Sequence, residues 1–278
     1  MTAVLDDLDR LESFALRHQR LFVLTGAGCS TESGIPDYRD RNGDWKRASP
    51  ITVQAFTGDA LARRRYWARS LVGWRAMGQA RPGAAHQALA DLENAGRVEM
   101  LLTQNVDGLH HAAGSRRVID LHGRIDTVRC LQCQALSPRA ELQQALMMRN
   151  PRFAALTATV APDGDADLEN LDFSQFDVPD CAVCGGMLKP DVVFFGENVP
   201  RDRVDAAFEA LQASDAMLVL GSSLMVYSGL RFVKRAAEIG IPIAAVNLGR
   251  TRGDEHFEFK VDQPVGPTLA ELARKFSA

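Results

Sequence analysis

The chain has 278 residues, 46% of them hydrophobic and 24% charged, with a net charge of −3 and a pI of about 6.1. That balance is ordinary for a soluble globular protein of one large or two modest domains. It offers no global basic field for nucleic acid and no apolar run near the roughly 18 residues that a membrane span needs.

The N-terminal stretch holds four acidic residues and lacks the apolar core of a signal sequence, so neither a secretory signal nor a transit peptide is expected, and the expected location is cytoplasmic. Leu5, Leu8, Leu11 and Phe14 recur at helical spacing and predict an amphipathic helix. Leu21-Phe22-Val23-Leu24 then reads as a buried parallel strand. It runs into Thr25-Gly26-Ala27-Gly28, a turn whose two glycines let backbone N–H groups approach a phosphate closely. The dinucleotide fingerprint of dehydrogenases wants a third glycine where Thr31 stands, and an acidic residue closing a second strand about 20 residues on. The stretch after Arg39 is polar and turn-rich instead, which disfavours hydride transfer.

Residues 46–80 carry a helical pattern with an aromatic stripe of Tyr66, Trp67 and Trp74 beside Arg63, Arg64, Arg65, Arg69 and Arg75. After the break at Pro82 and Gly83, a helix is expected from His86 to Leu92. Residues 98–102 form a second short apolar strand that ends in Thr103-Gln104-Asn105-Val106-Asp107. Amide and carboxylate side chains beyond a strand's carboxyl end either read a polar ligand or cap the next helix. A third strand, 118–121, leads into His122-Gly123. An imidazole there has an ordinary pKa of about 6.5, near working pH for proton transfer.

Cys130 and Cys133 form one CxxC pair, and Cys181 and Cys184 a second. Four thiolates in two knuckles satisfy one tetrahedral structural zinc ion without an open position, and the pattern suits a reducing compartment better than disulfides. Residues 163–180 between them hold seven acidic residues and no basic one, which reads as a solvated excursion. The fifth cysteine, Cys29, reads as a small apolar filler. A core or edge strand is expected over 191–197, a helix over 201–213, and a buried strand over 216–220 that ends in Gly221-Ser222-Ser223, small residues suited to phosphate or ribose. A helix over about 229–238 precedes a last strand, 242–246, ending in Asn247-Leu248-Gly249. Strand-then-helix units therefore alternate, which predicts an α/β fold with a doubly wound parallel (Rossmann-like) sheet.

The run Gly26-Ala27-Gly28-Cys29-Ser30 through Ser33-Gly34-Ile35-Pro36-Asp37-Tyr38-Arg39 resembles the NAD-binding loop of the sirtuin (Sir2) family, GAG-x-S-x-x-S-G-I-P-[DE]-[FY]-R, at every position. Thr103-Gln104-Asn105-Val106-Asp107 is similar to the sirtuin TQN-[IV]-D motif and His122-Gly123 to its ELHG-type motif. The resemblance spans about residues 20–265. It implies an NAD-dependent protein-lysine deacylase that uses NAD as co-substrate and one structural Zn²⁺. Residues 26–28, Ser30, 34–39, Gln104 to Asp107, Gly221, Ser222 and Ser223 would then hold NAD, with Asn105 and Asp107 orienting the ribose and His122 as general base. Asn247, with Leu248 and Gly249 beside it, would contact the adenosine ribose, and Val265 would cover the adenine. The segment containing Val193, Phe195, Gly196 and Glu197 would pair with an acyl-lysine protein or peptide as an added strand, with Val226 on the other side. Met225-Val226-Tyr227-Ser228 departs from the V-x-P of many members. Tyr66 and Arg69 are similar to a Tyr-x-x-Arg pair at the acyl-pocket floor of members that remove acidic acyl groups, so such groups are expected substrates. GSRR at 114–117 and APDGD at 161–165 are similar to the class II branch.

The expected organisation is a Rossmann-like domain of residues 1–45, 81–125 and 189–278, a helical module of residues 46–80 and a zinc-binding module of residues 126–188. Two other functions stay compatible with the residues: protein mono-ADP-ribosyl transfer on the same fold, and a non-catalytic NAD- or ADP-ribose-sensing module. Neither nucleic acid nor membrane is expected as a partner.

Overall fold

The computed structural model describes residues 2–46, 50–157, 166, 168 and 171–276; the APDGD run at 161–165 lies outside them. The first helix, α1, spans Thr2–Arg17 and is followed by β1, Leu21–Thr25, whose five residues are all buried. Helices α2 (Val53–Gly58), α3 (Ala60–Met77) and α4 (Ala84–Asn94) come before the second strand, β2, Val98–Thr103. A short α5, Leu109–Ala112, leads to β3, Val118–Asp120. The second half of the main domain adds α8 (Arg201–Ala213), β7 (Ala216–Leu220), α9 (Tyr227–Glu238), β8 (Ile243–Val246), β9 (Phe259–Val261) and α10 (Val265–Arg274).

Six parallel strands lie in the order β3-β2-β1-β7-β8-β9. Both faces of this sheet are covered, which is why its strands read as continuous apolar runs. Leu21, Val23, Leu101, Leu218 and Val246 point to one layer, with Leu11 and Phe14 of α1, Leu89 and Leu92 of α4, and Leu269 and Leu272 of α10. Phe22, Leu24, Leu102, Met217 and Val219 point to the other, with Leu211 of α8 and Leu230, Phe232 and Val233 of α9. The period of two along each strand distributes its residues between the layers. β9 was not expected: three residues are too few to carry a hydrophobic period.

Between β3 and α8 the chain forms β4 (Gly123–Cys130), β5 (Leu136–Pro138) and β6 (Leu188–Val192), with α6 (Arg139–Arg149) and α7 (Pro151–Ala154) between β5 and β6. The three strands build a smaller antiparallel sheet in the order β5-β4-β6. The strand expected over 191–197 is thus centred earlier, because pairing with β4 fixes it at 188–192. Beyond it, Phe195 makes only an isolated bridge to Thr52.

The acidic excursion is not simply solvated. Ala166, Leu168, Phe173 and Phe176 are buried against Phe56, Trp67 and Leu71 of α2 and α3 and Leu142 and Leu146 of α6. Apolar side chains alternate with the acidic ones along this segment, so its composition hides a docking face. Among the described residues, no helix is long and apolar enough to cross a membrane.

Candidate active site and metal centre

The order of strands reverses between β1 and β7, and in an open α/β sheet this switch point is where ligands bind, beyond the carboxyl ends of the strands. Gly26 N–H donates to Leu220 O at 3.0 Å and Gly28 N–H to Gly221 O at 2.9 Å. A Cβ on Gly26 would lie 2.7 Å from Gly221 O, and one on Gly28 would lie 2.8 Å from Gly221 Cα. The glycines therefore serve backbone-to-backbone contact between the two loops. Cys29 lies under this turn, its thiol donating to Leu220 O at 3.4 Å. Burial pushes that thiol up to about 12, which leaves it an unreactive filler as the sequence suggested.

A cleft of about 560 Å³ opens above the switch point, within the usual range for small-molecule sites. Most expected site residues line it: 26–28, Ser30, 35–39, 104–107, His122, 221–223, Asn247, Leu248 and Val265. Tyr66, Val193, Phe195, Gly196, Glu197 and Val226 line it too. Three expected residues do not: Gly34, Gly249 and Arg69.

Gly34 instead ends a short 3₁₀ turn with φ of 81°, while Gly249 N–H donates to Asp262 Oδ1 at 2.9 Å. Arg69 donates from Nε to Ala166 O at 3.0 Å, and Ala166 N–H donates back to Arg69 O at 3.0 Å. Tyr66 lines the cleft, and Arg69 Nε ties Ala166 of the excursion to α3.

Side chains from four loops meet in the cleft. Gln104 donates from Nε2 to Ser222 Oγ at 2.7 Å and to Thr25 O at 3.3 Å, joining the ends of β1, β2 and β7. Asn105 donates from Nδ2 to Gly26 O and to Ser30 Oγ, each at 3.0 Å. Ser30 Oγ donates to Asp107 Oδ2 at 2.7 Å. Behind them lies His86, which the sequence marks only as part of a helix. Its Nδ1 accepts from Gly83 N–H at 3.2 Å, so its Nε2 carries the proton facing Ser30 Oγ at 3.4 Å. Burial holds His86 below the ordinary imidazole value, against the opposing pull of Asp107. Asp107 Oδ1 also accepts from Leu109 N–H at 2.9 Å. The capping reading of this loop therefore holds on one carboxylate oxygen, while the other accepts from Ser30 at the cleft.

His122 follows β3 and is partly buried. Nδ1 lies 2.9 Å from Gln104 O, and Nε2 lies 2.8 Å from Ser228 Oγ. Burial lowers its pKa; the Gln104 carbonyl opposes the shift, and the Arg231 and Arg203 cations add to it. The imidazole is therefore neutral at neutral pH, as a base requires. Sequence reading missed both Ser228 and Arg231, which line the cleft. The departure from V-x-P was the available signal for Ser228.

On the outer wall, Val193 N–H donates to His122 O at 2.8 Å, which ties the expected peptide-binding segment to the histidine loop. Glu197 Oε2 accepts from Phe194 N–H at 2.6 Å and pairs with Lys189 at 3.1 Å. The Arg39 guanidinium sits 3.9 Å from the centre of the Trp45 ring, and Trp45 meets Phe195 edge-on at 5.9 Å.

Away from the cleft, the sulfur atoms of Cys130, Cys133, Cys181 and Cys184 all lie within 4.8 Å of one another. Cys130 Sγ is 3.5 Å from Cys184 Sγ, and Cys133 Sγ is 3.8 Å from Cys181 Sγ. Four thiolates around zinc at about 2.3 Å would be separated by roughly 3.8 Å. The donor set and its spacing fit one structural zinc ion with no position left for substrate.

A Rossmann-like sheet, a cleft at its switch point holding a neutral histidine, and a separate four-thiolate knuckle define the class of NAD-using protein deacylases. The Sir2 family model matches residues 26–228, and the chain belongs to that family. An NAD-dependent protein deacetylase of Xanthomonas axonopodis pv. citri is 63% identical over 98% of this chain and 93% of its own length. A solved Sir2 homologue in complex with NAD is 31% identical, with a TM-score of 0.74 over 96% of this chain and 93% of that one. A solved Sir2–p53 peptide–NAD⁺ complex is 28% identical, with a TM-score of 0.75 over 96% of this chain and 98% of the other.

Proposed function

We propose that the protein is an NAD-dependent protein-lysine deacylase that moves the acyl group from lysine to ADP-ribose. The observation that carries this reading is the neutral His122 in the same cleft as Asn105, Asp107 and the paired glycine loops. NAD, when bound, supplies the ribose carbon C1′ that the acyl carbonyl oxygen attacks as nicotinamide leaves. Asn105 and Asp107 orient the ribose, a positioning role. The Gly26-Ala27-Gly28 turn lines the cleft and, without bulky side chains, lets the phosphates approach the backbone closely. His122 takes the proton of a ribose hydroxyl at Nε2. One water is consumed as the lysine amine leaves, and the products are free lysine, nicotinamide and O-acyl-ADP-ribose.

The peptide lies along 193–197 and beside Val226, with Tyr66 at the acyl end. The Rossmann-like body of residues 1–45, 81–125 and 189–278 carries NAD, while the helical module (46–80) adds Pro50, Ile51 and Tyr66 to the cleft and the zinc module (126–188) packs behind it. The acidic pI of about 6.1 suits a protein partner rather than nucleic acid. Four thiolates fit a reducing, cytoplasmic compartment. The test is incubation with NAD and acylated peptide, followed by product analysis. Nicotinamide with O-acyl-ADP-ribose is the expected result. ADP-ribose attached to protein would identify a mono-ADP-ribosyltransferase instead, and no nicotinamide at all would identify a sensing module. His122→Ala should cut turnover by about 10²–10⁴-fold.

A further inference from the structure

The imidazole of His122 is held at both nitrogens. The Gln104 carbonyl, 2.9 Å from Nδ1, can only accept, so Nδ1 carries the proton. Nε2 is then a bare lone pair, and Ser228 Oγ, 2.8 Å away, must be its donor. We propose that Ser228 is a positioning residue for the base: with the tautomer set by the Gln104 carbonyl, its hydroxyl holds the ring with the Nε2 lone pair toward the cleft until a ribose hydroxyl replaces it. This rests on the reading of His122 as base.

Three features support the assignment. Ser228 lies in the first turn of α9, which is anchored by buried Leu230, Phe232 and Val233, so its Oγ has a fixed origin. The next residue, Gly229, packs so closely on the Gln104 side chain that a Cβ would lie 2.5 Å from Oε1. The loop that holds Nδ1 and the helix that holds Nε2 are therefore in register with each other. Finally, proline, expected here from the V-x-P pattern, has no donor to offer.

The charged groups facing His122 are cationic: Arg231 from α9 and Arg203 from α8, with Asp191 at the end of β6 lying 3.9 Å from Arg203. Those cations already favour neutral imidazole. The serine hydroxyl donates to the neutral ring and can turn to accept from the protonated one, so Ser228 orients the ring in both states.

The experiment compares wild type, Ser228→Ala, Ser228→Thr and His122→Ala, all zinc-loaded, on an acetyl-lysine peptide. Two rates are read. Exchange of labelled nicotinamide into NAD reports the cleavage step before the base acts, and O-acyl-ADP-ribose formation reports the step that needs it. Ser228→Ala should leave exchange within about twofold and slow product formation by roughly tenfold. Ser228→Thr keeps the hydroxyl and should restore product formation. Exchange and product formation falling together, or Ser228→Thr as slow as Ser228→Ala, would overturn the assignment to Ser228 alone. Near-native product formation by His122→Ala would remove the base itself, and both readings with it.

Discussion

Gly26→Ala tests whether the cleft depends on contact between the β1 and β7 loops. Gly26 has φ of −135°, extended backbone that alanine adopts freely, so the substitution acts through space alone. The new Cβ would lie 2.7 Å from Gly221 O, 2.8 Å from Ser222 Cβ and 2.9 Å from Ser222 Cα. Two of those atoms are backbone and the third is fixed to it, so the loops must part by several tenths of an ångström. Overpacking of this kind costs about 1–3 kcal/mol. Stretching the hydrogen bond from Gly28 N–H to Gly221 O, 2.9 Å in the native chain, adds about 1 kcal/mol. The total of roughly 2–4 kcal/mol corresponds to a fall in Tm of order 5–10 °C for a domain of this size. NAD affinity should drop at least about tenfold, because Asn105 also donates to Gly26 O and would move with the turn. Gly34→Ala is the control: Gly34 has φ of 81°, but a methyl group placed on it would meet no atom of the described residues within 4 Å, and it does not line the cleft. It should lose about 1 kcal/mol through backbone strain and bind NAD normally. Thermal unfolding and calorimetric titration with NAD measure both quantities. Wild-type NAD affinity in Gly26→Ala, or equal effects from the two variants, would refute the reasoning.

Three further outcomes are expected. Cys133→Ser should abolish stoichiometric zinc by elemental analysis and lower Tm, because structural zinc contributes to folding directly; full activity without metal would contradict this. His86, His110 and His122 are all held below the ordinary value of 6.5, chiefly by burial. The unfolded chain therefore binds more protons, so stability is full above about pH 6.5 and falls as pH drops, with a slope of up to about 1.4 kcal/mol per pH unit for each histidine. Urea midpoints between pH 5 and 8 read this, and a flat profile below 6.5 would count against neutral buried imidazoles. Arg69→Met should reduce activity by a similar factor on acetyl-, succinyl- and glutaryl-lysine peptides, since Arg69 holds Ala166 rather than lining the cleft; a loss confined to the acidic acyl groups would restore it as a selector.

The parts of the site that sequence revealed are those whose chemistry is local. The Gly26-Ala27-Gly28 turn, the Gln104 to Asp107 run and His122 each follow directly on a strand of the main sheet, so reading the strand also places the residues beyond its end. The paired CxxC knuckles are equally local: each closes on its own backbone, with Cys181 N–H donating to Gly186 O at 2.8 Å. What escaped was set by distant partners. β6 takes its limits from β4, more than fifty residues earlier in the chain, which no periodicity encodes. The excursion was read by its charge, although Phe173 and Phe176 bury themselves under α3. Arg69 shows the limit most clearly. Helical spacing correctly gives residues 66 and 69 neighbouring directions, but a face wide enough for both meets two environments, the cleft and residue 166. Ser228 is the converse case. It looked like a lost proline, and it became informative only when the histidine ring, brought from a loop on another strand, arrived within 2.8 Å.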